Sequence, residues 1–488
     1  MPSLSRSTLP AVAAAMRPRA LPWELRPRTV HLGLGAFTRA HQSVYTEGAA
    51  AASGSGWGIA AVEPRVPAVA DALRAQDGLF SVTELAPDGP ATRVVGSLTE
   101  ALVLDRDGDR LLALLTDPAV AVVTATITEK GYYRVPGSDH LDVHRPEVAA
   151  DLARAATTTE PGAGTVVGRL AELLAARSRA QGAPISVVSC DNMAGNGRAL
   201  GQVVRDFVAH TGWTDRDAVL DWLAGSVTFP QTIVDRIVPA TTAGTLAQAS
   251  AALGLDDAAA VAGEQYRQWV LEDAFAAERP AWEVDGALVV PDIAPFQLMK
   301  LRLLNGSHSA LAYLGLSCGL GTVAAAMRSA WGERLVRALC AEVAPTLPAA
   351  PTDPHAYADT LVARFANPAI AHQLRQIGSD GSLKVVERWL EPLRALRGAR
   401  RPTPVLELAL AGWANATRPA DGAGTGQRYG TTDPAAETLA AAWATGGADD
   451  AVRLLLRAVG ADDLADDDAL VQAVAGRVPA VAAGRIEL

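Results

Sequence analysis

Residues 31–41 read HLGLGAFTRAH, and this stretch decides the fold that the sequence predicts. Gly33 and Gly35 follow directly on apolar residues that we expect to form a β-strand. Because glycine has no side chain, the backbone there can bend tightly and approach a pyrophosphate, whose charge the amides at the next helix start can receive. Thr38 replaces the third glycine of the G-x-G-x-x-G pattern. On local grounds a purely structural turn is an equal alternative.

The sequence around this turn alternates β-rich runs with helical runs between Arg28 and Thr128. TVHLGLG, GWGIAAVE and the end of LLALLTDPAVAVVTATIT are typical of strands, and AVADALRAQ is typical of a helix. A further apolar strand, PISVVSC, ends just before Asp191. This alternation indicates an α/β fold with a mainly parallel sheet, in which strand ends face a ligand crevice. We therefore predict a Rossmann-type dinucleotide-binding domain over residues 1–215.

The second half of the chain has a different pattern. From about Asp217 onward the apolar spacing becomes mostly helical, as in AVLDWLAGSV, EQYRQWVLEDAF and ERLVRALCAEV. The acidic stretch ADDLADDDALVQAVAG keeps apolar residues at helical spacing, which predicts surface helices rather than a disordered tail. We predict a mainly α-helical substrate domain over residues 216–488. Two domains also suit a chain of 488 residues, which exceeds the usual size of one core.

Composition excludes several classes of function. The formal charge is −10, from 43 basic and 53 acidic residues, and no dense basic cluster offers a surface for nucleic acid. Cys190, Cys318 and Cys340 are odd in number and widely spaced, which favours a reducing cytoplasm over a disulfide framework or a zinc knuckle. Neither a signal peptide nor an apolar run of about 18 residues is present, so we expect no export and no membrane insertion.

The second predicted strand ends at Glu63, where a carboxylate can bind a ribose hydroxyl of an adenosine. Its interval from Gly33 is longer than usual, and Arg65, two residues later, can instead favour a 2′-phosphate. We expect NAD as the cofactor, with NADP as the alternative. A solvated pair of side chains at a strand end accounts for Glu63 and Arg65 equally well.

A polar cluster stands out in PFQLMKLRLLNGSHSALAYLG, residues 295–315. On a helix, Lys300 and His308, with Asn305 beside them, can share one inward face. A sheltered lysine can lose its proton and act as a base on an alcohol, and an asparagine amide can stabilise the developing alkoxide. A solvated lysine, a capping Asn-Gly pair and a structural histidine form the competing interpretation.

Further polar residues follow apolar strands or turns. Asp191 and Asn192, in SCDNMAGNG, come after a strand and before a glycine loop, where an Asx turn is the simpler account. Asp235, with Arg236 beside it, is a pocket residue or half of a buried ion pair. Lys384, in SDGSLK, either faces a ligand or is solvated after a turn.

Taken together these motifs resemble the mannitol dehydrogenase family of long-chain polyol and aldonate dehydrogenases. The resemblance covers nearly the whole chain and rests on GLGAFTRAHQ, TITEKGYY, SCDNMAGNG, FPQTIVDRIVP, QWVLEDAF, MKLRLLNGSHSALAYLG and SDGSLK, in the family's order. It implies an α/β Rossmann-type N-terminal domain, a mainly α-helical C-terminal domain and no metal requirement.

The resemblance also implies roles for individual residues. The base is Lys300, the oxyanion-binding asparagines are Asn192 and Asn305, and the active-site histidine is His308. Asp235 and Lys384 match substrate-pocket positions. The cofactor loop, from position 33 to position 39, includes the predicted contacts Gly33, Gly35, Ala36, Phe37 and Arg39.

Three positions depart from patterns seen in the family. Gln297 stands where several members carry glutamate, so a carboxylate relay for the proton is in doubt. Gln376 replaces the arginine of mannitol-oxidising members, and Lys130 stands where those members tend to have glycine. Both Gln376 and Lys130 are therefore predicted to contact substrate, and Lys130 can supply charge near a uronate carboxylate. A surface lysine is the simpler account of Lys130.

These departures favour the branch that interconverts D-fructuronate and D-mannonate. Mannitol with fructose, tagaturonate and arabinitol are alternative substrates. A catalytically idle nucleotide-binding sensor on the same fold is a competing class, and a metal-dependent hydrolase is a third, although no histidine pair has metal-ligand spacing. We expect a monomer or a small homo-oligomer with a small sugar acid or polyol as its ligand.

Overall fold

The computed structural model describes residues 1–349, 353–419, 427–444 and 446–488. It divides the chain into one unit over Met1–Ile293 and another over Ala294–Leu488. The sequence placed this boundary at 215/216, where the spacing turns helical. The difference arises because five further strands lie between residues 227 and 290, and this segment belongs to the first unit.

The first unit is built on a six-stranded sheet whose neighbouring strands all run parallel. The strands are β1 (Arg26–Leu32), β2 (Trp57–Glu63), β5 (Leu98–Val103), β6 (Val122–Ala125), β7 (Ile185–Ser189) and β8 (Val227–Thr228). Across the sheet they lie in the order β5-β2-β1-β6-β7-β8. Once the inserted hairpin described below is left out, this is the 3-2-1-4-5-6 order of dinucleotide-binding folds. The predicted Rossmann-type sheet is confirmed.

The position of a ligand crevice follows from this order. After β1, the strands β2 and β5 are added on one side of it. The later strands β6, β7 and β8 are added one after another on the other side. Ligands in such sheets bind beyond the carboxyl ends of the strands where the direction reverses. In this unit that switch point lies between β1 and β6, which pair from Thr29 with Val122 to Leu32 with Ala125.

Two small sheets complete the first unit. β3 (Phe80–Ala86) and β4 (Gly89–Val95) form an antiparallel hairpin, and β10 (Val261–Glu264) pairs parallel with β3. β11 (Gln268–Glu272) lies between β9 (Thr232–Asp235) and β12 (Leu288–Val290). The helical interpretation of EQYRQWVLEDAF was therefore wrong. Its apolar run WVL is buried on a strand, and a run this short does not separate a buried strand from a buried helix.

Helices flank these sheets in the first unit. They are α1 (Ala36–Ala40), α2 (Gln42–Ser53), α3 (Ala68–Ala75), α4 (Gly108–Thr116), α5 (Pro146–Ala155), α6 (Val166–Ala180), α7 (Asn196–Ala209), α8 (Arg216–Ser226) and α9 (Ala243–Leu253). Two of them begin with side-chain caps: the Thr165 hydroxyl accepts from the Gly168 amide at the start of α6, and the Thr242 hydroxyl accepts from the Thr245 amide at the start of α9. α1 and α2 are separated by His41, whose φ and ψ of −124° and −83° break the helix.

The described residues of the second unit are mainly helical, as predicted. The helices are α10 (Ala294–Met299), α11 (Gly306–Ser317), α12 (Val323–Met327), α13 (Gly332–Val343), α14 (Pro354–Phe365), α15 (Leu374–Gly378), α16 (Gly381–Val385), α17 (Glu391–Gly398), α18 (Pro404–Ala416), α19 (Ala436–Ala441), α20 (Ala448–Ala458), α21 (Asp462–Ala465) and α22 (Asp468–Ala482). The chain between α10 and α11, Lys300–Asn305, is a π-helical turn, and so is Val386–Leu390 between α16 and α17.

The core of the second unit forms around α11 and α18, both almost entirely buried. Aliphatic side chains of α13, α20 and α22 pack with them in one continuous cluster. Within the described ranges, no helix is both long enough and apolar enough to cross a membrane.

Two fully buried histidines lie behind the glycine-rich turn. His31, on β1, contacts three threonine hydroxyls, and His41 stacks on Phe37 and packs edge to face with Tyr45. Burial lowers the pKa of each imidazole from 6.5 to about 3. Both rings are therefore neutral in the folded protein at neutral pH.

These histidines make the stability of the first unit fall in acid. Between pH 6.5 and about 3 the unfolded chain binds a proton at each ring and the folded chain does not, so stability is lost as pH falls through this window. Each ring contributes a slope of about 1.4 kcal/mol per pH unit. We expect His41→Phe to reduce the slope by that amount, measured from urea titrations at about pH 4.5 and about pH 5.5. An unchanged slope would show that His41 is protonated in the fold.

Candidate active site

The glycine-rich turn leaves β1 at the switch point of the sheet. Gly33 has φ of +108°, and a Cβ there would lie 2.1 Å from the Thr126 carbonyl oxygen. Only glycine fits that position. Gly35 has ordinary backbone angles, and a Cβ there would meet only the Gly33 carbonyl, at 4.0 Å. Gly33 is therefore required by the fold, whereas no contact within the protein requires Gly35.

Thr38, which occupies the third glycine position, joins the turn to the sheet. Its hydroxyl donates to the Gly33 carbonyl at 2.9 Å and lies 2.8 Å from the Thr126 hydroxyl and 2.6 Å from Nε2 of His31. Nδ1 of His31 lies 2.7 Å from the Thr124 hydroxyl on β6. This buried network fixes the start of α1 against β1 and β6. Sequence reasoning missed it, although the departure of Thr38 from the glycine pattern was a visible signal.

The predicted cofactor residues meet in a crevice of about 260 Å³ beyond the strand ends. Its lining includes Gly33, Gly35, Glu63 and Arg65, together with Thr126 and the start of α6 at Thr165 and Val166. Oε1 of Glu63 accepts hydrogen bonds from the Arg65 and Val66 amides, at 3.0 and 3.2 Å. The carboxylate is thus held at the end of β2, and the exposed Arg65 lies beside it.

The other residues of the predicted cofactor loop do not line this crevice with their side chains. Arg39 is buried, and its guanidinium donates to the Gly35 and Ala259 carbonyls. Burial lowers its pKa to about 10. Phe37 stacks on His41 at 4.9 Å, and Ala36 packs into the core. The predicted direct contact between Arg39 and the cofactor is therefore corrected: the buried Arg39 side chain supports the glycine-rich turn. Ala36 and Phe37 contribute backbone amides at the start of α1.

The SCDNMAGNG segment follows β7 on the same side of the sheet. The buried Asp191 carboxylate accepts from the amides of Ile127 and Thr128, at 3.1 and 2.8 Å, and from the Tyr132 hydroxyl at 2.9 Å. Burial raises the pKa of Asp191. Asp191 thus holds the loop after β6. Asn192, the next residue, is exposed on this unit.

The loop held by Asp191 carries Lys130. Thr128 and Tyr133 have φ of 64° and 51°, strained values for residues other than glycine. Exposed Lys130 lines a pocket of about 510 Å³ with Arg134 and Arg145. This pocket shares Thr128 and Tyr133 with the crevice. The structure therefore places Lys130 close to the predicted cofactor residues of the first unit.

Asp235 ends β9 and is buried. Arg236, the following residue, pairs with Glu84 at 3.2 Å and donates to the Glu264 carbonyl at 2.8 Å. Burial lowers the pKa of the Arg236 guanidinium. Arg236 is therefore a structural cation that joins the small sheets, and Asp235 retains its predicted place in a substrate pocket as a hypothesis.

In the second unit Lys300 and Asn305 occupy opposite ends of the first π turn. The Gly306 amide donates to the Leu301 carbonyl, five residues earlier, which is the bond that defines a π turn. In a regular α-helix, residues five apart point about 140° away from each other. A π turn has more residues per turn than an α-helix, so residues five apart point in more similar directions in it. Lys300 is 9% exposed, Asn305 is half-buried, and Gln297 precedes Lys300 on α10.

His308 lies one turn further along, on α11, and is buried. Its ring stacks on Phe365 with centroids 4.1 Å apart and meets the edge of His372 at 5.3 Å. Burial lowers the pKa of His372. The aromatic contacts fix the plane of the His308 ring, which a residue that orients a hydroxyl requires. Sequence reasoning missed Phe365 and His372, because they lie more than fifty residues away along the chain.

Lys384 is half-buried on α16, and its Nζ donates to the Ser379 carbonyl at 2.6 Å and to the Ile377 carbonyl at 3.4 Å. Burial lowers its pKa. An ammonium has three donors, so these bonds leave one for a ligand. Gln376 is exposed on α15. The carbonyls that accept from Lys384 lie at the C-terminal end of the same helix.

The structure brings the predicted residues together in separate groups. In the first unit Gly33, Gly35, Glu63 and Arg65 line the crevice, and Lys130 lines the adjoining pocket. In the second unit Lys300, Asn305 and His308 share one continuous helical segment. Among the described residues, no cluster of three or more His, Cys, Asp or Glu side chains could hold a metal ion. The cysteines are free thiols, and burial raises the pKa of Cys340 to about 11.

Comparisons with known proteins match each of the two units to a domain of one family. Residues 27–284 match the mannitol dehydrogenase Rossmann domain, and residues 292–482 match the mannitol dehydrogenase C-terminal domain. The oxidoreductase YeiQ of Escherichia coli is 38% identical over 97% of this chain and 96% of its own length. D-mannonate oxidoreductase of the same organism is 38% identical over 81% of each chain. Mannitol 2-dehydrogenase of Pseudomonas fluorescens, solved as a ternary complex with NAD and D-mannitol, is 32% identical, with a TM-score of 0.76 over 98% of this chain and 96% of its own.

The two glycines of the turn make a matched pair for testing the site geometry. Gly33→Ala places a Cβ against the Thr126 carbonyl at a positive φ, so we expect a loss of about 3 kcal/mol or more in the free energy of unfolding. Gly35→Ala meets open space and should change that free energy by less than about 1 kcal/mol. Urea titration measures both. Equal losses for the two variants would contradict the geometry.

Proposed function

This chain is an oxidoreductase of the mannitol dehydrogenase family, and from that premise we propose that it interconverts D-mannonate and D-fructuronate with NAD. The observation that carries the proposal is a buried lysine, Lys300, on a π turn that also presents Asn305. A sheltered amine beside an amide donor suits the removal of a proton from an alcohol.

The residues of the crevice fit a dinucleotide. A Cβ at Gly35 would approach only the Gly33 carbonyl, at 4.0 Å, so packing within the protein does not require glycine there. Because Gly35 lines the crevice, a close ligand group such as a pyrophosphate would explain the missing side chain. The amides at the start of α1 would receive its charge. Glu63, fixed by two backbone amides at the end of β2, would bind a ribose hydroxyl and so favour NAD over NADP.

The composition of the chain gives independent support for Lys300. Of its 43 basic residues only Lys130, Lys300 and Lys384 are lysine, and the remaining 40 are arginine (43 − 3). Arginine serves almost every other cationic position in this chain, but it does not lose its proton in proteins. A lysine amine can do so, which is what a base needs. All three lysines occupy positions that we assign to the active site.

The proposed reaction uses the residues as follows. Lys300 removes the hydroxyl proton of the secondary alcohol, and the amides of Asn192 and Asn305 hold the oxygen while negative charge develops. NAD, when bound, accepts the hydride of the carbinol carbon. His308, held by Phe365, orients a substrate hydroxyl, and Asp235 and Lys384 bind others. In the reverse direction Lys300 returns the proton. Because Gln297 cannot carry a proton, the proton leaves through water.

The local positive charge of Lys130 favours an acidic substrate. Lys130 stands on a loop whose strained Thr128 is held by Asp191, and the pocket that it lines adjoins the crevice. A carboxylate near Lys130 would form a charge-assisted hydrogen bond. Gln376, where mannitol-oxidising relatives carry arginine, supports the same branch through the resemblance and not through charge. Mannitol with fructose is the second candidate, favoured by the similarity to a mannitol 2-dehydrogenase.

Substrate choice is measured by following NADH oxidation with fructuronate, tagaturonate and fructose, and by repeating the series with NADPH. We expect kcat/KM for fructuronate to exceed that for fructose by about 10- to 100-fold, the value of one charged hydrogen bond. Lys130→Met should remove most of this preference and leave fructose reduction unchanged. A preference for fructose would exclude the proposed substrate, and binding of NADH without turnover of any ketose would favour a sensor.

Lys300→Ala tests the base. We expect kcat for alcohol oxidation to fall by about 10²- to 10⁴-fold, the usual contribution of general acid–base catalysis. Oxidation by the parent chain should rise with pH, because the neutral amine is the active form, and this rise should disappear in the variant. Thermal unfolding and NADH titration serve as controls for folding and cofactor binding. Near-normal turnover with both controls intact would exclude Lys300 as the base.

A further inference from the structure

The π turn that carries Lys300 and Asn305 receives side-chain hydrogen bonds at its C-terminal end. Arg388 Nη1 lies 3.4 Å from the Asn305 carbonyl and donates to the Ser309 hydroxyl at 2.7 Å. Trp389 Nε1 donates to the Gly306 carbonyl at 3.2 Å. Both donors come from the other π turn, Val386–Leu390, more than eighty residues later in the chain. The two π turns pack directly against each other.

These contacts act where the helix changes its geometry. A π turn has poorer packing along its axis than an α-helix and persists where its surroundings stabilise it. Asn305 closes the π turn, and Gly306 begins α11. The donors therefore hold the backbone at the junction between the wide turn and the regular helix. Trp389 is fully buried and Arg388 is largely so, which makes both positions well defined.

The same segment also carries Lys384. Lys384 lies on α16, which runs directly into the π turn of Arg388 and Trp389. The positions of Lys384, Asn305 and Lys300 are thus linked by one set of contacts within the second unit. Burial lowers the pKa of both Lys384 and Arg388.

We propose that Arg388 and Trp389 are positioning residues, which hold the Asn305–Gly306 backbone so that the π turn keeps Lys300 and Asn305 in register for proton removal. This inference rests on the proposed role of Lys300. Without the two donors the turn is free to relax toward α-helical geometry, in which residues five apart point about 140° away from each other. A misplacement of about 1 Å in such a site can cost 10²-fold in rate.

The test uses the full-length chain with substitutions at both donors. Arg388→Ala removes the guanidinium, Arg388→Lys keeps one cationic donor, and Trp389→Phe keeps a large ring without the N–H. Arg397→Ala is the matched control. Arg397 is also a half-buried arginine and lies nine residues after Arg388, but it pairs with Asp467 and not with the π turn. For each variant kcat, KM, the melting temperature and the deuterium isotope effect on kcat are measured, with deuterium at the carbinol carbon of the substrate.

For Arg388→Ala we expect kcat to fall by at least about tenfold with KM nearly unchanged, and the isotope effect to grow because the chemical step has slowed. Arg388→Lys should recover part of the loss, and Trp389→Phe should show a smaller change of the same kind. Arg397→Ala should behave like the parent chain. A purely structural role would reduce the amount of active protein and leave the isotope effect unchanged.

Two failures are distinguishable. If the parent chain turns over and Lys300→Ala does not, but Arg388→Ala and Trp389→Phe keep the kcat and isotope effect of the Arg397→Ala control, the positioning inference is wrong. If Arg388→Ala loses activity only in proportion to folded protein, the inference is also wrong. If the parent chain reduces no ketose or ketouronate, the proposed function itself fails.

Discussion

The first unit depends on the close approach of Gly33 to the Thr126 carbonyl. A side chain at Gly33 would overlap that oxygen, and the positive φ there turns the chain directly from β1 into α1. Thr38 secures the same corner through its hydroxyl, which bonds to the Gly33 carbonyl and meets His31. As a result the end of β1 lies against the end of β6 and opens the crevice at the switch point of the sheet.

The second unit achieves its local geometry in another way. A π turn inserts extra width into a helix that is otherwise regular, and it does so at the segment that begins with Lys300 and ends with Asn305. Irregular backbone of this kind costs free energy and persists where surrounding contacts compensate for it. The tight glycine turn and the π turn are therefore alike in two respects. Each departs from regular geometry at the residues that we assign to cofactor binding or chemistry, and each is held by buried hydrogen bonds from distant residues.

Much of the sheet and of the glycine-rich turn could be predicted from the sequence because both depend on local patterns. The strand, glycine turn and helix at residues 29–40 are adjacent in the chain, and so are Lys300, Asn305 and His308. EQYRQWVLEDAF was misassigned because a short apolar run suits a buried strand and a buried helix alike. Its pairing with β9 and β12 decides the matter, and this pairing also moves the boundary of the first unit to Ile293.

Other features could not be predicted from local spacing. The π turn receives hydrogen bonds from Arg388 and Trp389, and the buried Arg39 donates to the Ala259 carbonyl, all from partners far away along the chain. The Asp191 carboxylate faces the loop after β6, so its strand-end position alone did not reveal its partners. One signal was nevertheless present in the composition. A chain with three lysines among 43 basic residues marks those lysines as candidates for chemistry that arginine cannot perform.

We propose that the amine of Lys300 accepts the proton of the alcohol, and chemical rescue of a variant without this amine is the sharpest test of that role. Lys300→Ala leaves space where the side chain stood, so small primary amines added to the variant can take over as the base. We expect turnover of the variant to rise with amine concentration and, among amines of similar size, with their basicity. Turnover that matches the parent chain in the absence of any amine would contradict it.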